Sequence, residues 1–246
     1  MSGLHLVRLP LDMRALAAFA IAERADDDDR GYATHLALRR RFGAAAPQPF
    51  RLFEAGAAGP HLLGYATDLP ALLDAVALPP IDDRLDAVFP GPPAARPMPT
   101  AWRPGARFAF EVRVRPVVRY GPRARAARLA EGKHGAAERD AFLAAVEKAD
   151  EGPVDRETVY LAWFARQVTG AARIERSTIT ALRRLSTQRS THGHPGKRRI
   201  EGYDACFAGT LVIETPDAFI RLLSQGVGRH AAFGFGMLAL APPRPC

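Results

Sequence analysis

The stretch Thr215–Leu240, TPDAFIRLLSQGVGRHAAFGFGMLAL, decides how the chain reads. Thr215 suits a helix N-cap, Pro216 the first helical position, and Phe219, Leu222 and Leu223 recur at helical spacing until Gly226 ends the run. A glycine loop follows. Gly226, Gly228, Gly234 and Gly236 surround the cation Arg229, and the lack of side chains lets backbone N–H groups approach another chain closely, as a phosphate chain requires. Met237 to Leu240 then has the apolar density of a buried strand. Two plainer readings compete. GVGRHA fits G-x-G-x-x-A, but a dinucleotide fingerprint follows a strand and opens a long βαβ unit, whereas this one follows a helix with little chain after it. The glycines equally suit a tight turn between helix and strand.

Around this stretch lie 246 residues, 48% of them hydrophobic, enough for one large domain or two small ones with a full core. No run of 18 apolar residues occurs, and the opening MSGLHLVRLPLDMRALAAF lacks the basic start, apolar centre and cleavage site of a signal peptide. A cytoplasmic protein that crosses no membrane is expected. Cys206 and Cys246 are too few for a disulfide framework, and no cofactor is expected. The formal charge of +8 favours a polyanionic partner, and its distribution sharpens the point. Acidic residues cluster at Asp26–Asp29 and Asp82–Asp86, while arginines gather in 119–139 and 183–199. Adjacent aspartates on a loop lack the converging ligands of a cation site, so Asp26–Asp29 reads as a solvated loop or helix N-terminus and no metal site is assigned.

From the N-terminus, 3–9 reads as a strand, 11–23 as a short helix or loop, and GYATHLALRRRF (31–42) as a helix ended by Gly43. Tyr32, His35 and Arg39 stand at i, i+3 and i+7 of that helix, so all three project from one face. Tyr-x-x-His alone is also ordinary helix surface or core. PFRLFE (49–54) and HLLGYA (61–66) suit a hairpin, 69–76 a helix and 85–89 a strand. Pro90, Pro92, Pro93, Pro97, Pro99 and Pro104 then exclude a regular element and mark a linker. RFAFEVRVR (107–115) alternates strictly, with Phe108, Phe110, Val112 and Val114 on one face and Arg113 and Arg115 on the other. Residues 117–152 form a basic insertion carrying Arg119, Arg123, Arg125, Arg128, Lys133 and Arg139, expected to be mobile until a ligand orders it. A helix over 155–168 buries Tyr160, Trp163, Phe164 and Val168, and strands at 172–186 and 200–214 flank a basic loop with Lys197, Arg198 and Arg199. The order βαββαβ thus occurs twice, giving an α+β protein of two tandem ferredoxin-like (RRM-like) domains at 1–92 and 105–246, with 93–104 between them.

Several of these segments coincide with a known pattern. The chain resembles the CasE family, the CRISPR RNA-processing endoribonuclease of type I-E Cascade systems. The likeness rests on Tyr32-Ala-Thr-His35, Val88-Phe89-Pro90, Arg107 to Pro116, Gly196-Lys197, Phe207-Ala-Gly-Thr-Leu and, most specifically, Gln225-Gly-Val-Gly-Arg through the C-terminal strand. Asp26–Asp29 and the 117–152 insertion depart from it. The resemblance implies two ferredoxin-like domains, metal-independent cutting of precursor CRISPR RNA at the 3′ base of the repeat hairpin, and retention of the product among other Cascade subunits. It also implies that His35 and Tyr32 are the catalytic pair.

Metal-free RNA cleavage uses the 2′-hydroxyl as nucleophile and leaves a 2′,3′-cyclic phosphate, so it needs a group that moves protons near neutrality and cations against a phosphorane. The imidazole of His35 suits the first need as acid or as base. Tyr32 suits hydrogen bonding better than proton transfer. Arg39, Lys197 and the N–H groups of Gly226 to Arg229 suit the second. RNA contacts are expected from Arg39, Arg113, Arg115, Arg123, Arg125, Arg128, Lys197, Arg198, Arg199, Gly226, Gly228 and Arg229. A hairpin-binding subunit without catalysis is the alternative.

Overall fold

The computed structural model describes residues 3–25, 30–55, 59–132, 137–149, 152–190 and 197–242, with side chains described except over 186–190 and 197–200. Its first half is a four-stranded antiparallel sheet of β1 (His5–Pro10), β2 (Phe50–Phe53), β3 (His61–Ala66) and β4 (Ala94–Pro97) in the order β2-β3-β1-β4. Helices α1 (Met13–Ala22), α2 (Gly31–Phe42) and α3 (Leu69–Ala77) join these strands. Aspartates start two of them: Asp12 accepts from the amides of Arg14 and Ala15, and Asp68 from that of Ala71 at 3.0 Å. The buried stripe of α2, Ala33, Ala37, Leu38 and Phe42, packs with Phe19, Phe50 and Leu62 in one core.

Two expectations fail here for related reasons. Residues 85–89, read as a strand, form the helix α4 (Arg84–Val88), because Leu85 and Val88, both fully buried, lie on one helical face three residues apart. The sheet's last strand is β4, inside the stretch where prolines were taken to exclude structure. All four of its residues are exposed, and Pro97 sits on an edge strand, where a missing N–H costs no ladder bond on the open side.

The second half repeats the plan with β5 (Arg107–Val114), α7 (Arg156–Val168), β8 (Ala172–Ser190), β9 (Lys197–Ile213), α8 (Pro216–Gln225) and β10 (Ala239–Ala241). Its sheet runs β10-β5-β9-β8, the same order by position as in the first half. Tyr160, Trp163, Phe164 and Val168 are buried as expected, and Phe164 stacks on Phe207 with ring centroids 4.9 Å apart. Strands β8 and β9 run on into the expected basic loop, pairing Ser190 with Lys197. Thr215 occupies the N-cap position of α8 but makes no side-chain cap bond there; Pro216 at the helix start and the buried Phe219, Leu222 and Leu223 hold the helix.

The described residues of the insertion form regular elements, contrary to expectation. β6 (Val117–Arg119) pairs with β7 (Glu138–Asp140), and α5 (Pro122–Ala130) and α6 (Ala141–Val146) follow them. Asp140 anchors the unit: it caps α6 through the amides of Phe142 and Leu143 and accepts from the Tyr160 hydroxyl at 2.6 Å. Trp163 Nε1 donates to the Val117 carbonyl at 3.0 Å, so α7 grips both insertion strands.

The two halves touch through a buried contact and an exposed one. The Tyr65 hydroxyl on β3 donates to the Leu238 carbonyl at 2.8 Å, and burial pushes its pKa far up. Arg51 on β2 pairs with Glu111 on β5 at 2.5 Å. No helix among the described residues is long and apolar enough to cross a membrane.

Candidate active site

The glycine loop and helix α2 meet at this seam. After α8, the chain turns through Gly226 at φ +83° and Gly228 at φ +74°, forms the short 3-10 turn Ala231–Phe233, and re-enters the second half at Gly236. Close backbone approach explains the glycines. A β-carbon on Gly236 would lie 2.6 Å from the Val227 carbonyl oxygen, and one on Gly228 would lie 2.8 Å from the Trp163 ring. Their expected use against phosphate is therefore corrected in part. The Gly226 amide donates to Leu222, Val227 to Gly236 at 2.8 Å, and Gly236 to Arg113 at 2.7 Å, so these N–H groups are spent inside the protein.

What the loop does present is a surface for His35. The Phe233 ring stands edge-on to the imidazole at 5.0 Å, and His35 also hydrogen-bonds the backbone at Ala232. His35 is half-buried on α2. Desolvation holds its pKa below 6.5, the Arg39 guanidinium one turn along adds to the fall, and the Ala232 contact works against both. The imidazole is therefore neutral at neutral pH. Arg39 itself is exposed, with Nη1 on the Gly43 carbonyl at the end of its helix at 3.0 Å. Tyr32 shares the helix face but is only 7% exposed within the first core, its ring 6.2 Å from Phe233.

The expected basic contacts divide. Arg123 and Arg125 are exposed on α5. Arg113 is committed to Asp204 at 2.5 Å and lies over the Phe235 ring. Arg115, expected on the solvent face of β5, is 3% exposed, beside the Phe235 ring at the end of the strand, where the alternation stops describing a free face. Arg128 pairs with Glu147 and covers the Tyr120 ring. Arg229 pairs with Glu138 of the insertion at 2.7 Å. Lys197, Arg198 and Arg199 lie on β9, while their side chains, like Asp26–Asp29 and Lys133, fall outside the described residues. Sequence reasoning missed Phe233 and Glu138, since neither belongs to a motif and both act across long chain separations.

Fold and site together define an α+β protein of two ferredoxin-like halves with a half-buried histidine at the seam between them. Residues 4–242 match the family model described as CRISPR associated protein, and the chain belongs to that family, with the CasE type as its kin. The CRISPR system Cascade subunit CasE of Escherichia coli (strain K12) is 33% identical over 90 residues, which span 37% of this chain and 42% of that relative. A CRISPR endoribonuclease Cse3 bound to a 19-nucleotide RNA superposes with TM-score 0.65 at 21% identity, over 98% of this chain and all of the other. Thermus thermophilus Cse3 with an RNA representing a pre-cleavage complex gives 0.58 at 21% over the same shares, and Cas6e of Escherichia coli K-12 gives 0.52 at 20%, over 97% of this chain and all of the other. These likenesses carry the fold.

Proposed function

We propose that this protein is a metal-independent endoribonuclease that cuts precursor CRISPR RNA within the repeat hairpin, leaves a 2′,3′-cyclic phosphate, and stays with the mature RNA among other Cascade subunits in the cytoplasm. The observation that carries the reading is a half-buried His35, held against the Phe233 ring at 5.0 Å, beside the exposed cation Arg39 at the seam of the two halves. Similar proteins described as Cse3 bind RNA, and the net charge of +8 suits the same class of partner.

A neutral imidazole acts first as a base. His35 takes the proton of the ribose 2′-hydroxyl, the O2′–P bond forms in line as the P–O5′ bond breaks, and the departing 5′-oxygen takes a proton from water. Arg39 meets the charge that builds on the phosphorane oxygens. Tyr32, 7% exposed with its ring 6.2 Å from that of Phe233, packs under the same turn rather than moving a proton.

That burial favours a second reading, a hairpin-binding subunit without catalysis. Incubating the protein with its host repeat RNA in EDTA separates the two. Cutting that persists in EDTA, produces cyclic-phosphate ends and disappears in His35→Ala, with RNA affinity within a few-fold, supports the nuclease. Binding without cutting by the unaltered protein leaves only the hairpin-binding reading, and cutting that EDTA abolishes defeats the metal-free mechanism.

A further inference from the structure

Glu138, within the insertion at 117–152, reaches the site. Glu138 on β7 accepts from Arg229 Nε at 2.7 Å through one carboxylate oxygen, and its other oxygen lies 3.1 Å from Nε2 of His230. Both partners sit at the base of the Ala231–Phe233 turn that touches His35. The His230 side chain is 4% exposed, and its backbone is left-handed at φ +71°, a conformation that strains a residue with a β-carbon and persists only where its surroundings hold it. The Phe233 amide closes the turn on the His230 carbonyl at 2.8 Å. From there Ala232 bonds His35 and the Phe233 ring lies against it.

We propose that Glu138 is a positioning residue for His35: gripping Arg229 and His230 together, it sets the turn whose Ala232 backbone and Phe233 ring orient the imidazole. The grip is firm because its own base is firm, with the Ala141 amide on the Pro116 carbonyl at 2.9 Å and the adjacent Asp140 tied to Tyr160. The insertion is thus a brace for the catalytic ring. This role rests on the reading of His35 as the base.

The test uses the full chain with Glu138→Ala and Glu138→Gln, folded at the assay temperature by circular dichroism. Single-turnover cutting of repeat RNA at saturating protein is expected to fall ~10- to 100-fold in Glu138→Ala, as small misplacements of a reacting group do, with the RNA Kd within ~3-fold. Glu138→Gln, which keeps one acceptor, falls between. Independently of cutting, the His35 ring resonances, assigned by their loss in His35→Gln, are expected to move in RNA-free Glu138→Ala. An unchanged rate together with unmoved His35 resonances overturns the proposal. Should the unaltered protein fail to cut at all, the nuclease reading falls by itself, and the ring resonances still decide what Glu138 does.

Discussion

His35 shows how position changes what a residue type can do. Free imidazole titrates close to neutrality, but burial on α2 and the charge of Arg39 lower its pKa, so the basic form dominates at neutral pH. Cleavage rate is therefore expected to rise with pH along one limb whose midpoint lies below 6.5 and to stay flat above it. A rate that instead falls as pH rises through that same midpoint would assign His35 the acid role. At the same scale, Gly228 shows that packing by itself requires a glycine. Gly228→Ala places a methyl 2.8 Å from the buried Trp163 ring at φ +74°, and should cost about 1–3 kcal/mol, measured as a lowered urea midpoint with altered tryptophan fluorescence.

Elements were legible wherever local pattern and tertiary role agreed. The 31–42 helix is found from Gly31 to Phe42, and the four aromatic and aliphatic residues expected to face inward from α7 do so. Agreement failed where the surroundings choose between equal local patterns. The run LDAVF is too short for its period to be read from the sequence, and the packing of Leu85 and Val88 on one face selected the helix. The insertion, arginine-rich and broken by Gly and Pro, gave no local sign of order, because its anchors, Tyr160 and Trp163, lie on another element. Asp140→Ala removes both the α6 cap and the Tyr160 bond. Loss of the cap alone is worth about 1–2 kcal/mol, and limited trypsin digestion should then cut at Arg119, Arg123 and Arg125 faster than in the unaltered protein.

Across the whole molecule, the site exists only because two halves of the same plan are held in one relation. Tyr65 belongs to the first sheet yet packs in the second core, and its hydroxyl satisfies the buried Leu238 carbonyl. Tyr65→Phe leaves that carbonyl unpaired and should lower stability by about 1–3 kcal/mol in urea unfolding while a single transition remains, because the shared core still couples the halves. Two transitions would show that the halves unfold separately. Apolar periodicity and the glycine signature were enough to indicate a repeated α+β plan, though not the last strand of its first half, and the helix that carries His35, since those signals act over a few neighbouring residues. The meeting of His35 with Phe233, the burial of Tyr32 and Arg115, and the hold of Glu138 on Arg229 and His230 were settled by tertiary structure alone. They join residues far apart in the chain, where spacing carries no information and only packing and desolvation determine which side chains meet.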